Sequence, residues 1–143
     1  MASTEYPEGA VIPALQQATH ATLHALAVRL ESLGLTGSEQ NVLAAFGGDR
    51  ARAAGELAAA TGTKASTLTS VLDRLERKGH AARDVDYSDR RSVIISLTPA
   101  GRRASEAVQS AMISLERSAL AGVSRQQLAG FFAVTAALTR GSR

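Results

Sequence analysis

Small hydroxyl groups and cations recur along the segment from Lys64 to Lys78, at spacings that would gather them on one side of a helix. At about 100° per residue, one face of that helix presents Ser66, Ser70, Asp73 and Arg77, flanked by Thr67, Thr69 and Arg74. Hydroxyl groups can hydrogen-bond to base edges, and guanidinium groups can bind phosphate oxygens. Taken alone, such a face is more often simply solvated, so its meaning depends on the elements around it.

A second group of charges lies in the sequence DYSDRR, residues 86–91. Asp89 and Arg91 are two positions apart, so on a hairpin their side chains can project in the same direction. The carboxylate could then hold the guanidinium group extended, ready to enter a narrow minor groove, where the negative potential of DNA is enhanced. The alternative is an exposed ion pair that contributes well under about 1 kcal/mol.

Residues suited to catalysis or metal binding are sparse. The sequence contains no cysteine, no Gly-Lys-Ser/Thr phosphate loop and no His-Glu-x-x-His motif, and its serines lack a nucleophile elbow. His20 and His24 are four residues apart and would share a helix face, but a metal site needs a third ligand, and the remaining histidine is His80. We therefore expect no enzyme activity, no cofactor and no metal.

The polar face needs a buried counterpart, which an apolar stripe supplies. The stripe recurs at i, i+3, i+4 and i+7, the spacing of an amphipathic helix, and consists of Leu68, Val71, Leu72 and Leu75. Gly79 ends this helix, while a shorter one, Glu56 to Thr61, precedes it and ends at Gly62. Two helices joined by a tight glycine turn are the arrangement with which many proteins enter the major groove of DNA.

After the second of these helices, apolar residues no longer recur at helical spacing. Ala82 to Val85 and Ser92 to Leu97 are predicted strands, and the charged residues 86–91 connect them. A helix that leads into such a hairpin predicts a winged helix-turn-helix, here over about residues 36–98.

Longer helices flank this unit on both sides. Helix starts are predicted at capping patterns, namely Thr36 with Glu39, Thr98 with Pro99, and Ser124 with Gln127. The predicted elements are a first helix over Val11 to Leu33, a second from Thr36 to Gly47, a loop or minimal strand over Asp49 to Ala54, a long helix from Pro99 to about Leu120, and a last helix through Leu138. The terminal helices are more apolar than one small winged helix can cover, which predicts a helical dimer interface from about residues 11–33 and 99–140.

The composition is that of a folded protein with a modest positive charge. With 143 residues and 45% apolar content the chain can form one domain, which we expect to span residues 1–143. The net charge is +3, and the first 63 residues hold three cations against six anions, so the cations concentrate further along. Five aromatic residues are too few for a single-strand stacking platform. No apolar run approaches the roughly 18 to 20 residues of a membrane span, and we expect a cytoplasmic protein.

Together these motifs resemble the multiple antibiotic resistance regulator (MarR) family of winged-helix transcription factors. The resemblance rests on the order ELAAATG, STLTSVLDRLERKG and DRRSVIISLTPAG, and its most specific part is the run from Asp89 through Thr98 to Gly101. It implies a mainly α fold with a small β-hairpin wing, and a homodimer that binds a pseudopalindromic double-stranded operator. Such proteins are usually repressors released by a small molecule or an oxidant, and the lack of cysteine removes the route through thiol oxidation.

The helix face and the resemblance define the residues expected to contact DNA. Base edges or phosphates would be met by Lys64, Ser66, Thr67, Thr69 and Ser70, and phosphates by Arg74 and Arg77. The resemblance assigns Arg91 to the minor groove beside Asp89, and makes Arg90 and Arg83 phosphate contacts or salt-bridge partners. Ser70 is a departure, since many similar sequences carry arginine there, and a bidentate contact to guanine provides about 1–3 kcal/mol of discrimination.

The residues of an effector site are less specifically indicated by the sequence than the DNA contacts are. In proteins similar to this one, small aromatic or phenolic ligands bind between the dimerisation helices and the winged domain, and His24, Phe46 and Met112 are candidates for that cleft. Two other functions stay open, an effector-independent architectural DNA-binding protein and a winged-helix module that docks another protein. Salt-dependent binding of duplex DNA would separate both DNA-binding functions from protein docking.

Overall fold

The computed structural model describes residues 10–85 and 93–143, which form helices and a small antiparallel sheet. In chain order the elements are α1 (Val11–Arg29), α2 (Gly37–Ala45), β1 (Ala51–Ala53), α3 (Ala54–Thr61), α4 (Ala65–Arg77), β2 (Ala81–Val85), β3 (Val93–Leu97), α5 (Pro99–Ala119) and α6 (Arg125–Gly141). The mainly α fold with a small hairpin, predicted from the sequence, is confirmed. Among the helices of these two ranges, none is long and apolar enough to cross a membrane.

The sheet has β3 at its centre, in the order β1-β3-β2. Ile95 on β3 is paired with Arg52 on one side and Arg83 on the other, in antiparallel register. The stretch expected to be a loop or a minimal strand is thus a three-residue strand, β1, and the two predicted hairpin strands are β2 and β3. Because β1 directly precedes α3, the sheet connects the start of α3 to the hairpin of β2 and β3 that follows α4.

The chain divides into two compact units, Met1–Ala111 and Met112–Arg143. In the first unit, the core is formed by residues of α2, α3, α4 and the sheet, and the side chains without exposed surface include Leu43, Phe46, Leu57, Leu75 and Ile95. The predicted apolar stripe of α4 is buried in this core, which confirms it. Burial of one large apolar side chain contributes about 1.5–3 kcal/mol, so the stripe determines which face of α4 is turned to solvent.

Local hydrogen bonds define several helix starts as predicted. Thr36 and Glu39 form a reciprocal capping box, with side chain to backbone distances of 3.1 and 3.3 Å. Ser124 and Gln127 form another at 2.8 and 3.1 Å. At the start of α5, the Gly101 N–H donates to Thr98 Oγ1 at 3.0 Å.

The first helix is shorter than predicted. α1 ends at Arg29, and Glu31–Leu33 forms one 3-10 turn where the sequence predicts a helix as far as Leu33. Leu30, with φ −110° and ψ 16°, leaves the helical conformation, and Gly34 ends the turn with a left-handed φ of 61°. Apolar spacing continues through such a turn, so periodicity alone places the helix end too late.

The second unit contains the end of α5 and all of α6. Its exposed large apolar side chains are Ile113, Leu120, Val123, Phe131, Phe132 and Val134. The rings of Phe131 and Phe132 stack edge to face, with centroids 5.6 Å apart. In the first unit, α1 likewise exposes Ile12 and Val28. Exposed large apolar side chains in such number indicate an interaction surface.

Candidate nucleic-acid interface

A tight turn joins α3 to α4. Gly62 adopts a left-handed conformation with φ 66° and ψ 22°, which favours glycine. The N–H of Thr63 donates back to the Ala58 carbonyl at 3.1 Å, and Lys64 follows as the N-cap residue of α4, without a side-chain capping hydrogen bond. The predicted helix, tight turn and helix arrangement is confirmed.

The outward side of α4 carries most of the residues that the sequence predicts to contact DNA. Since Leu68, Leu72 and Leu75 are buried, the opposite side of the helix faces solvent. We call this surface the α4 polar face, and its exposed side chains are Lys64, Ser66, Thr67, Thr69, Ser70 and Arg77. The structure thus brings these six predicted residues together on one surface.

Two hydroxyl groups of the α4 polar face donate hydrogen bonds to their own helix. Thr69 Oγ1 donates to the Ala65 carbonyl at 2.9 Å, and Ser70 Oγ donates to the Ser66 carbonyl at 3.4 Å. With the hydroxyl protons used in this way, the oxygen lone pairs remain to accept hydrogen bonds from outside the protein. In the major groove the available donors are the amino groups of cytosine and adenine, so these hydroxyls suit those bases.

Two cations of the α4 segment bind a buried carboxylate on α2. The Glu39 side chain has no exposed surface; its Oε1 accepts from Arg74 Nε at 3.0 Å and its Oε2 from Lys78 Nζ at 2.6 Å. Lys78 Nζ also donates to the Gly34 carbonyl at 2.9 Å. Arg74, which the sequence assigns to phosphate contact, thus pairs with Glu39, because a buried carboxylate is costly without a cation. Its side chain stays 37% exposed, and its contact with phosphate stays a prediction.

These ion pairs lower the pKa of the Glu39 carboxyl. Burial by itself acts to raise that pKa, since removal from water disfavours the charged form. Hydrogen bonds from Lys78, from the Thr36 N–H and from Arg74, together with the positive charge of Lys78, outweigh burial and hold the pKa below its ordinary value. Glu39 is therefore ionised at neutral pH and links α2 to the last turn of α4.

Arg83 ties the hairpin to the other side of α4. Its Nε lies 3.0 Å from Glu76 Oε1, and its Nη2 binds the Asp73 carboxylate. The same Nη2 donates to the Thr69 carbonyl at 3.3 Å. Of the two roles that the sequence leaves open for Arg83, phosphate contact or salt-bridge partner, this geometry supports the second. Strand β2 is thereby attached to successive turns of α4.

The predicted tip of the wing lies outside the described residues. The arms on either side of it pair in register, from Ala81 with Leu97 to Val85 with Val93. The roles of Asp89, Arg90 and Arg91 therefore stay predictions.

The residues proposed for an effector cleft lie in different surroundings. Phe46 has no exposed surface and belongs to the hydrophobic core, so it is a packing residue and not a surface for ligand contact. His24 is exposed on α1, and Met112 is partly exposed in the second unit. The first unit does contain a cleft of about 210 Å³, lined by Gly48, Asp49, Arg50, Leu97, Arg102, Ser105, Glu106 and Gln109. The sequence singles out none of these eight as ligand contacts.

The histidine pair on α1 supplies two potential metal ligands, His20 and His24, both exposed. Across residues 10–85 and 93–143, no group of three histidine or carboxylate side chains could hold a metal ion. A zinc site takes at least three protein ligands.

The capping role of Glu39 is predicted by the sequence, but its ion pairs are not. The signal was present, because Glu39 stands on the inner face of α2 with Val42, Leu43 and Phe46, at the spacing of a buried stripe. A carboxylate at such a position needs a cationic partner, although spacing cannot tell which cation supplies it.

Comparisons with known proteins agree with this geometry. The model of the MarR family matches residues 33–92. A probable transcriptional regulator from Pseudomonas aeruginosa is 30% identical with a TM-score of 0.72, over 90% of this chain and 96% of that one. The S. aureus MepR-DNA complex has a TM-score of 0.79 at 21% identity, over 95% and 100% of the two chains, and shows the same fold. The HTH-type transcriptional regulator YcgE of Bacillus subtilis is 48% identical over 42 residues, which are 29% of this chain and 27% of that protein.

Proposed function

The chain belongs to the MarR family of DNA-binding transcriptional regulators, and we propose that it binds a specific double-stranded operator as a homodimer. It acts in the cytoplasm as a repressor and leaves the operator when a small aromatic or phenolic ligand binds. The operator is pseudopalindromic, because a two-fold symmetric dimer presents two identical recognition surfaces. No cofactor and no catalytic step take part.

The observation that carries this proposal is the α4 polar face. It combines small hydroxyl groups with an exposed cation at each end, Lys64 and Arg77. Because Arg74 and Arg83 are already paired with carboxylates of the same chain, we assign the main phosphate contacts of this surface to Lys64 and Arg77. The hydroxyl groups between them, Ser66, Thr67, Thr69 and Ser70, then meet base edges or nearby phosphates.

The wing is proposed to complete the interface. The ion pairs of Arg83 with Asp73 and Glu76 hold the base of the hairpin beside α4. From that base, Arg91 is proposed to enter the minor groove with Asp89 orienting it, while Arg90 contacts phosphate. The wing and the α4 polar face would thus read neighbouring grooves of one half-site.

Dimerisation is supported by the apolar surface of the terminal helices. Phe131 and Phe132 on α6 are 51% and 65% exposed, and Val28 on α1 is 63% exposed. Side chains of this size are rarely left in water in such number without a partner. We propose that a second copy of the chain covers them, with residues of about 11–33 and 99–140 forming the interface. The same helices and the winged unit together make up the single domain proposed for residues 1–143.

Release by a ligand is proposed from membership of the family. A ligand can free the operator if it binds the DNA-incompetent spacing of the two wings more tightly than the competent one, because equal affinity shifts nothing. His24 and Met112 are retained as proposed lining residues of the effector cleft. Phe46 is not, since its side chain lies wholly in the core.

Selection of bound sequences from a random duplex library, at two salt concentrations, tests the proposed function. We expect an inverted repeat whose half-sites are about ten base pairs apart, with affinity that falls steeply with salt. Arg77→Ala should weaken binding of the selected operator, whereas Arg143→Ala, which removes an exposed cation outside the proposed interface, should not.

Two other outcomes would contradict the proposal. Salt-sensitive binding without any sequence preference would indicate an architectural DNA-binding protein. A complete lack of duplex binding at low salt, by a protein that remains folded, would favour a protein-docking module.

A further inference from the structure

Lysine is rare in this chain, and its two lysines lie at the two ends of α4. Among the 16 basic residues, Lys64 and Lys78 are the lysines and the rest are arginines. Lys64 is the N-cap residue of α4 and Lys78 is its C-cap residue. A reagent that reacts with lysine amines therefore has two side chains to attack, and both flank the recognition helix.

The ε-amine of Lys64 is accessible. The residue is exposed, and within the part of the chain that the structure describes its side chain makes no hydrogen bond or ion pair. Its backbone is held, since the Lys64 carbonyl accepts from the Leu68 N–H at 2.9 Å. The first turn of α4 next to it has no side-chain cap, and an uncapped helix N-terminus attracts phosphate groups.

The ε-amine of Lys78 is protected by its contacts. It is bound to the Glu39 carboxylate at 2.6 Å and to the Gly34 carbonyl at 2.9 Å. Acylation would remove these contacts and leave the buried carboxylate with one cation fewer. That penalty opposes modification of Lys78, whereas no such contact among the described residues opposes modification of Lys64.

We propose that Lys64 is a selective acylation site for acyl phosphates, and that its acylation weakens operator binding. The ammonium group first loses a proton to water, and the amine nitrogen then attacks the carbonyl carbon of the acyl phosphate. A C–N amide bond forms, the C–O bond to phosphate breaks, and inorganic phosphate leaves with the bonding electrons. The nitrogen releases a second proton to water, and no oxidant or reductant is required.

The effect on DNA rests on the proposed function. Acylation converts one of the two exposed cations of the α4 polar face into a neutral amide. Log affinity falls linearly with log salt concentration, and the loss of one phosphate contact makes this slope less steep. The steepness should decrease by about one for each α4 polar face bound to DNA. The sequence preference should stay the same, because Thr69 and Ser70 are untouched.

The test treats the purified full chain with acetyl phosphate and maps acetylated peptides by mass spectrometry. We expect Lys64 to be acetylated well before Lys78, and operator DNA to protect Lys64. Two matched variants each retain the positive charge and remove one amine. K78R should still be acetylated at Lys64. K64R has no amine at position 64 to acetylate, so it should show the same operator affinity before and after treatment.

Equal acetylation rates at Lys64 and Lys78 would overturn the assignment of a selective site. Unchanged affinity and salt slope for protein acetylated at Lys64 would overturn its effect on DNA. Failure of the proposed function would be seen separately, because the untreated protein would then select no operator. Circular dichroism before and after treatment identifies any loss of fold.

Discussion

Glu39 illustrates how one side chain can serve two structural purposes. As the third residue of α2 it caps the helix start at Thr36, and as a buried carboxylate it binds Arg74 and Lys78. The two cations are about one third exposed, at 37% and 36% of their side chains, so water screens part of the attraction. The result is a charged contact that links α2 to the C-terminal end of α4.

Glu39→Gln should destabilise the protein at neutral pH by about 1–3 kcal/mol, because hydrogen bonds to an ionised carboxylate are lost. The pKa of Glu39 is lowered in the folded state, so its contribution is present at neutral pH and is lost as the pH falls through the folded-state pKa. The wild-type free energy of unfolding should therefore decline more steeply with acidification than that of Glu39→Gln. Urea unfolding at a series of pH values measures both.

Glu31→Gln is the matched control, since Glu31 is an exposed glutamate in the 3-10 turn after α1. It should leave both the stability and its pH dependence near the wild-type values. Parallel pH profiles for wild type and Glu39→Gln would refute the role assigned to the Glu39 ion pairs.

Ser70 is expected to limit base discrimination, because its short hydroxyl is turned back to the Ser66 carbonyl. Ser70→Arg should add a bidentate contact and enrich guanine at one position of each half-site, by about 1–3 kcal/mol of discrimination. Library selection with the variant and the wild type measures this difference. Thr67→Arg, on the same exposed face, controls for the added charge and should raise affinity without the same guanine preference. An unchanged selected sequence for Ser70→Arg would show that position 70 does not face the bases.

At the scale of elements, the start of α5 is packed against the turn between α4 and β2. Thr98 Oγ1 donates to the Gly79 carbonyl at 2.6 Å, and the Thr98 N–H donates to the His80 carbonyl at 3.0 Å. A Cβ atom built on Gly101 would lie 1.9 Å from the His80 carbonyl oxygen. Glycine at position 101 is thus what allows the helix to approach the backbone of this turn.

Gly101→Ala should destabilise the protein by about 3 kcal/mol or more, because the clash is with backbone atoms that cannot rotate away. For a chain of this size that corresponds to a decrease in melting temperature of roughly 6–12 °C. Gly55→Ala in α3 has open space around its Cβ and should be neutral or stabilise by up to about 1 kcal/mol. Thermal unfolding of the two variants gives the comparison. Equal melting temperatures would mean that α5 can shift away from the turn at little cost.

At the scale of the whole molecule, the apolar side chains of α6 are the feature that the single chain leaves without a partner. Phe131 is 51% exposed, and Phe132 beside it is 65% exposed. In an isologous dimer the same patch occurs on both copies, so one substitution alters the interface twice. DNA binding by the proposed dimer would depend on this interface, because it would set the separation of the two recognition helices.

Phe131→Lys should convert the proposed dimer into monomers and greatly weaken operator binding, because it would place a charge from each copy in the apolar interface. Gln126→Lys is a control on the same helix, about 140° around the axis at about 100° per residue, and should remain dimeric. Sedimentation equilibrium gives the mass, and circular dichroism checks the helix content. A dimeric Phe131→Lys protein that binds the operator normally would exclude this face from the interface.

The features that the sequence determined by itself are those that depend on neighbours along the chain. Capping boxes at Thr36 and Ser124, the left-handed turn at Gly62 and the apolar stripe of α4 all involve residues within a few positions of each other. Their geometry follows from helix periodicity and from hydrogen bonds within one turn. They predict the winged helix-turn-helix and the polar composition of the surface that α4 presents.

The tertiary structure alone decided which cations near the recognition helix are held in ion pairs. Arg74 and Lys78 are 35 and 39 positions from Glu39 in the chain, and Arg83 reaches back to Asp73 across the turn that joins α4 to β2. Periodicity places all of these residues near the recognition helix but does not specify their partners. Burial forces the ionised Glu39 to find cations, and packing determines which cations are close enough. The same packing encloses Phe46 in the core, whereas the sequence made it a candidate for the effector cleft.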